Sequence, residues 1–418
     1  MNSKYQQLIK TLGPGILFAS TCIGVSHLVQ STRAGASYGF MLVGAVILAN
    51  IFKYPFFEFA SRYTSATGRS IIDGYYHKSK WVLAVYLLIT LSSMFIVSAA
   101  VTFVTAGLLS NFFEINLNAA EWAAILLILC IVILTLGKYK FLDGALKILG
   151  VILLISVIIA VVSSIINGRV APVESFVVPE LFDSKGILFL IALMGWMPTA
   201  IDMSTWTSLW TEARIKQTNY HPTLKETLYD FKLGYFASAI LAIGFLTLGA
   251  MILYGTGESL PNSAPAFAAK LIGMFTHSIG EWSYYIILIA AFSTMFSTTI
   301  TVIDGYCRAT TRSIKLLLQK KDDSRLTYII ISIIVAIGTY LIIAQFLNNL
   351  TALVDFATAL SFIIAPLAGL LNYKMIFDKS IPESHRPKPW LKTLAILGLI
   401  FLSVFTLIYF YVLLGGIA

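Results

Sequence analysis

Six ionisable side chains fall within long apolar runs: His27, Lys53, Glu58, Asp202, Asp304 and Asp355. At the centre of a bilayer such a group costs at least about 2.5–3.5 kcal/mol, so each needs a partner or a task. A neutral imidazole ligates iron, zinc, copper or nickel and titrates near neutral pH, which makes His27 a candidate metal ligand. Its other reading is a bond to a carbonyl freed in the Thr21-Cys22-Ile23-Gly24-Val25-Ser26 stretch just before it. Met197 precedes Pro198, and its thioether suits soft ions and not magnesium or calcium; it is equally a core filler. Asp202 shares a helical face with Thr199 and Thr205. It can supply negative charge, take up a proton, or cap a restarted half-helix. Lys53 lies deep in its segment, with Asp304 or Asp355 as partner, as a structural ion pair or a built-in replacement for a coupling ion. Asp304 can instead pair with Arg308 at the interface, and Asp355 can cap the outer start of its helix. Glu58 is spaced to pair with Arg62.

The elements that position these groups follow from composition. Of 418 residues, 58% are apolar and 12% charged, with a mean hydropathy of +0.85. Soluble domains carry about 25% charged residues, so a cytosolic enzyme, a disordered chain and a nucleic-acid-binding module are excluded. The chain reads as all-α and integral to a membrane. Spanning takes about 20 apolar residues. That length gives eleven transmembrane helices, near 12–36, 40–61, 81–109, 121–137, 144–168, 185–209, 233–256, 282–307, 326–346, 350–373 and 390–415. With the N-terminus cytoplasmic, 24 of the 29 basic residues fall on inner segments, as the positive-inside rule requires. The C-terminus is then outside, and the location is the plasma (inner) membrane. Arg33 stands at the outer end of the first helix, and 211–232 reads as a solvated amphipathic linker. The polar start, Met1–Lys10, does not read as a cleavable signal. Cys22, Cys130 and Cys307 have no metal or disulfide spacing. The five scattered histidines form no His-Glu-x-x-His, and there is no nucleophile elbow or filter repeat, so neither enzyme nor channel is expected.

Two helices are interrupted. Gly24 falls midway along the first, and Gly195-Trp196-Met197-Pro198-Thr199-Ala200 midway along the sixth. Pro198 removes a backbone donor and forces a bend. Broken helices at corresponding places in two five-helix halves point to an inverted-repeat transporter with its site between the breaks. The chain is read as one transmembrane domain, with repeats about 12–168 and 185–373 and an extra helix at about 390–415.

Gly13-Pro14-Gly15 through Gly35-Ala36-Ser37-Tyr38-Gly39-Phe40 resembles the first helix of the Nramp family of proton-coupled divalent-metal transporters. Ile47-Leu48-Ala49-Asn50, Ala60-Ser61-Arg62 and Thr67-Gly68-Arg69 are similar to its second helix and following loop, and Met197-Pro198 to the start of its Met-Pro-His-Asn motif. Ser297-Thr298 and Arg325-Leu326-Thr327 fit more loosely. The resemblance implies the inverted-repeat fold and import of a divalent transition-metal cation, with His27 and Met197 as ligands and Thr21 and Met194 giving carbonyls. Thr21, Gly24, His27, Met194, Met197, Thr199 and Asp202 are then the expected substrate site, and Lys53, Asp304 and Asp355 candidates for ion coupling. The departures are specific. Gly24 and His27 stand where the family's Asp-Pro-Gly-Asn motif has its aspartate and asparagine, and Thr199-Ala200 where it has His-Asn. No charged residue lies between Lys80 and Glu114, the stretch that carries the family's proton path. A second reading therefore stands beside the first: the same fold carrying a small organic solute or another cation, without the usual proton relay. Expected partners are the cargo, the lipid bilayer and a coupling proton, with no cofactor and no nucleic acid.

Overall fold

The computed structural model describes residues 10–113, 115–136, 139–319 and 325–416, and among them there is no strand. The polar start before Lys10, the basic residues Lys4, Lys138, Lys320 and Lys321, and Glu114 lie outside the described residues. The first apolar stretch is divided into α1 (Pro14–Cys22), a π-helical turn (Ser26–Ser31) and α2 (Thr32–Tyr38). Next come α3 (Val43–Thr67), the short α4 (Ile71–Lys78), α5 (Lys80–Ser110), α6 (Ala119–Leu136) and α7 (Tyr139–Asn167). The sixth apolar stretch is α8 (Ser184–Gly195), a gap, a 3-10 turn (Ile201–Met203) and α9 (Ser204–Thr218). Beyond it lie α10 (Leu224–Ile252), α11 (Ala264–Ile279), α12 (Tyr284–Leu317), α13 (Arg325–Gln345), α14 (Leu350–Ile376) and α15 (Pro389–Leu413).

Among the described residues nine helices are long and apolar enough to cross a membrane: α3, α5, α6, α7, α10, α12, α13, α14 and α15. The two expected spans that fail this test are the two with breaks. Each is cut into pieces too short to cross alone. The outer face of α15 shows why hydropathy finds the rest: Leu397, Ile400, Val404 and Leu407 are exposed, as lipid-facing residues are.

Three features depart from the sequence reading. Segment 211–232 is not a linker. α9 runs to Thr218 and α10 starts at Leu224 behind a capping box of Thr223 and Glu226, leaving a five-residue connection, 219–223. Its acidic residues are structural: buried Glu212 accepts from the Ser70 N–H at 3.1 Å. Buried Asp230 accepts from the Gly13 and Gly15 N–H groups at 3.2 and 2.6 Å, which caps α1. Helices α4 and α11 were also unforeseen, both being shorter than a span.

α10 runs along α1 and α2, α12 packs on α5 and α7, α14 on α8 and α5, and α15 on the outside of α3. The contact of the first broken helix with α10 is backbone to backbone. A Cβ at Gly15 would lie 2.0 Å from the Asp230 carbonyl oxygen, and one at Gly234 2.1 Å from that of Gly15. Such close approach is what small residues provide between helices in a bilayer, where burial of apolar surface does not drive association.

Candidate functional site

The first break is a real interruption. The Gly24 N–H turns back to the Cys22 carbonyl at 2.8 Å, and the His27 N–H bonds the Gly24 carbonyl at 3.0 Å. The Ser20 and Ile23 carbonyls thereby lose the donors that a continuous helix would bring them. The break lies against α12: the Thr298 hydroxyl is 2.7 Å from the Ser20 carbonyl oxygen and 3.1 Å from that of Ile23. Gly24 makes this approach possible, because a Cβ there would be 2.9 Å from the Thr298 methyl. Thr21 turns its hydroxyl to the Leu17 carbonyl at 2.8 Å and lies 3.3 Å from the Thr301 hydroxyl.

His27 is buried, and both its ring nitrogens are in use. Nε2 lies 2.9 Å from the Ser238 carbonyl on α10, and Nδ1 2.8 Å from the Ser26 hydroxyl. A carbonyl only accepts, so Nε2 carries the proton, and the Nδ1 lone pair, which a metal would need, faces Ser26. The ring is thus held by a carbonyl of α10 and not, as the alternative reading has it, by one freed in the broken helix.

The second break spans residues 196–200 and contains a cis Met197–Pro198 peptide bond. Its freed carbonyls have a partner that the sequence did not supply. Lys53 Nζ donates to the Met194 and Gly195 carbonyls at 2.6 and 2.7 Å and lies 3.4 Å from that of Thr199. Lys53 is 0% exposed. Its partners are main-chain oxygens, where carboxylates were expected; Asp202 is the carboxylate that attracts it most strongly. Met197 is completely buried at this break, and the Thr199 hydroxyl points at the Met203 sulfur at 3.0 Å.

Asp202 is buried, 3.4 Å from the Ser93 hydroxyl of α5, and its Oδ1 has no side-chain partner among the described residues. No side-chain bond is made at Met203, the residue that flanks the start of α9. The other two candidate coupling residues have partners other than Lys53. Asp304 takes Arg308 Nε and the Tyr328 hydroxyl, each at 2.6 Å. Asp355 takes both arms of Arg33, at 2.6 and 3.0 Å, and the Gln30 amide at 2.9 Å. Asn349, not Asp355, caps α14. Glu58 pairs with Arg62 at 2.5 Å, as its spacing suggested.

The Arg33–Asp355 pair joins α2 to α14 at the rim of a cavity of about 530 Å³ that is also lined by Tyr38, Lys185, Phe189 and Tyr409. A second cavity of about 480 Å³ opens among α9, α12 and α13, between Glu212, Lys216, Arg308, Arg312 and Tyr328. Asp355→Asn is expected to loosen the junction of α2 and α14 beside the first cavity. For a partly exposed pair the loss is about 1 kcal/mol, a roughly fivefold shift in the fraction of molecules in which the two helices part. The labelling rate of a cysteine introduced at Ser37 in that cavity measures it.

Among the described residues no group of three or more His, Cys, Asp or Glu is arranged to hold a metal. Sequence reasoning missed Ser238, Gln30 and the role of Thr298. For Thr298 a signal existed in the hydroxyl-rich Ser297-Thr298-Thr299-Ile300-Thr301 of an otherwise apolar helix.

Residues 15–412 match the family described as natural resistance-associated macrophage protein-like, Nramp. An uncharacterized protein of Pasteurella multocida (strain Pm70) is 36% identical over 413 residues, 97% of this chain and 93% of that one. The fold is similar to that of a manganese transporter of Eremococcus coleocola solved with an aromatic bis-isothiourea compound. The TM-score is 0.70 at 13% identity, over 98% of this chain and 87% of that one. It is also similar to MhsT solved with L-phenylalanine, with a TM-score of 0.59 at 16% identity, over 95% and 98% of the two chains. At these identities the two structures show the fold alone.

Proposed function

We propose a function from one premise: this chain belongs to the Nramp family, and is therefore a multi-pass membrane transporter and not an enzyme. Our reading is eleven crossings in two inverted halves, 12–168 and 185–373, with an added helix at 390–415. The N-terminus is cytoplasmic and the C-terminus outside the plasma (inner) membrane. The two broken helices move against the scaffold to give alternating access. The cargo is a small organic solute and not a divalent metal ion.

The observation that carries this choice is the Lys53 ammonium on the Met194 and Gly195 carbonyls. These oxygens are the neutral half of a cation site, and a tethered cation already holds them. Two unit charges about 4 Å apart repel by about 4 kcal/mol at an effective dielectric of 20, so a doubly charged ion beside Lys53 meets about twice that. Gly24 offers no carboxylate to offset it, and Asp202 can balance only one positive charge. A second reading, transition-metal transport, draws support from the buried Met197 thioether at the break and from the likeness to a manganese transporter.

Purified protein in liposomes separates the two. Manganese is expected neither to accumulate nor to raise the melting temperature, whereas some member of a panel of small organic solutes stabilises in proportion to its concentration over its dissociation constant. Saturable manganese uptake that disappears in Met197→Ala would overturn the organic-solute reading in favour of the metal.

A further inference from the structure

At the first break there are more acceptors than protons. The Ser20 and Ile23 carbonyls have both lost helical donors, and among the described residues the donor that reaches them is the Thr298 hydroxyl. The same hydroxyl lies 3.0 Å from the Thr294 carbonyl of its own helix. One hydroxyl carries one proton, so at any moment it serves one of these three oxygens. Beside them the Ser297 and Ser20 hydroxyls face each other at 2.8 Å. The cluster lies at the C-terminal end of α1, where unpaired carbonyls concentrate partial negative charge. A hydrogen-bond network would be expected to supply a proton for each acceptor here; a cation needs none.

We propose that this cluster is a sodium site, formed by the Ser20, Ile23 and Thr294 carbonyls and the Ser297 and Thr298 hydroxyls. The ligand set is oxygen throughout, which selects a hard cation, and contains no carboxylate, which favours one positive charge over the two of calcium or magnesium. The three carbonyl oxygens already converge on Thr298 Oγ1 at 2.7–3.1 Å, so little movement would bring them onto one ion. Unwound carbonyls and half-helix ends are the groups that hold sodium in transporters with broken helices. The absence of a side chain at Gly24 then has a purpose, since any Cβ would push the break away from Thr298. This inference deepens the transporter reading above: sodium binding across α1 and α12 links the first broken helix to the scaffold. It supplies a driving ion to a chain with no charged residue between Lys80 and Glu114.

The test needs no cargo, so its failure is distinct from failure of the organic-solute reading. Thermal unfolding of the full chain in detergent is followed in sodium chloride and in equal potassium or choline chloride, with binding of radioactive sodium measured alongside. Sodium is expected to raise the melting temperature saturably, and potassium and choline are not. Ser297→Ala and Thr298→Val should each weaken sodium binding by about tenfold or more, a loss of about 1.4 kcal/mol. Thr298→Ser keeps the hydroxyl and should keep the binding even if the valine variant folds poorly. Equal melting temperatures in sodium and potassium for the unmodified chain, or sodium binding unchanged in Ser297→Ala and Thr298→Val, overturn the site.

Discussion

Lys53→Met is expected to destabilise the protein by about 3–5 kcal/mol, the cost of removing one partner from a buried charged network. Methionine has similar length and packs well, so lost volume is not the cause. What is lost is the charged donor to the Met194 and Gly195 carbonyls; Pro198 has no N–H for the first of them, which keeps only the Met197 N–H at 3.3 Å. A buried carbonyl left without a donor, as that of Gly195 would be, costs about 1–3 kcal/mol. Asp202 also loses a positive charge that offsets its own. Lys53→Arg is expected to fail as well, because three carbonyls around a point suit an ammonium and not a planar fork. The double variant Lys53→Met/Asp202→Asn separates the contributions. If Asp202 is the counter-charge, the double variant recovers part of the loss; if it is simply the sum of the single variants, the carbonyls account for the whole effect. Chemical unfolding in detergent gives the free energies, and uptake in liposomes should be lost in both single Lys53 variants, since the break between α8 and α9 would no longer hold its shape.

The sequence made the long helices legible because the bilayer sets one length, and it made both breaks legible because glycine and Pro198 interrupt an apolar run. It did not make the contents of the breaks legible. Residue letters suggest carboxylate partners for Lys53, because charge is the only complement that they display. Its actual partners are main-chain oxygens, set free by a proline 145 residues away in the chain. Glu212 and Asp230 look solvated in sequence for the same reason: their partners are N–H groups 142, 215 and 217 residues distant. His27 illustrates a different limit. Its position in the family motif pointed toward the cargo, while its ring is held by Ser238, a serine with no local mark of importance. Ser297 and Thr298 were visible as a polar run, but the oxygens that they meet belong to a segment nearly 280 residues earlier.

Gly15→Ala should produce the other large loss, from one methyl group. Its Cβ would stand 2.0 Å from the Asp230 carbonyl oxygen and 2.9 Å from the Asp230 Cγ, so neither backbone nor carboxylate can stay in place. Overpacking typically costs about 1–3 kcal/mol, and here the collision is with main chain and not with a side chain free to rotate. Moving α1 away also stretches the Gly15 N–H bond to Asp230, a charge-assisted bond of 2.6 Å worth about 1.5–3 kcal/mol. The expected total is therefore about 3–5 kcal/mol. Gly150→Ala serves as the control: a Cβ there meets nothing within 4 Å, and replacing a mid-helix glycine should gain up to about 1 kcal/mol. Gly234→Ala attacks the same contact from the α10 side, with its Cβ 2.1 Å from the Gly15 carbonyl oxygen. Once α1 has been displaced by either methyl, the second finds room. The double variant should therefore lose clearly less than the sum of the two, as neighbours in one interface do. Full additivity in equilibrium unfolding would mean that α1 and α10 do not share a single contact surface, and the Asp230 cap on α1 could then not tie the two helices together.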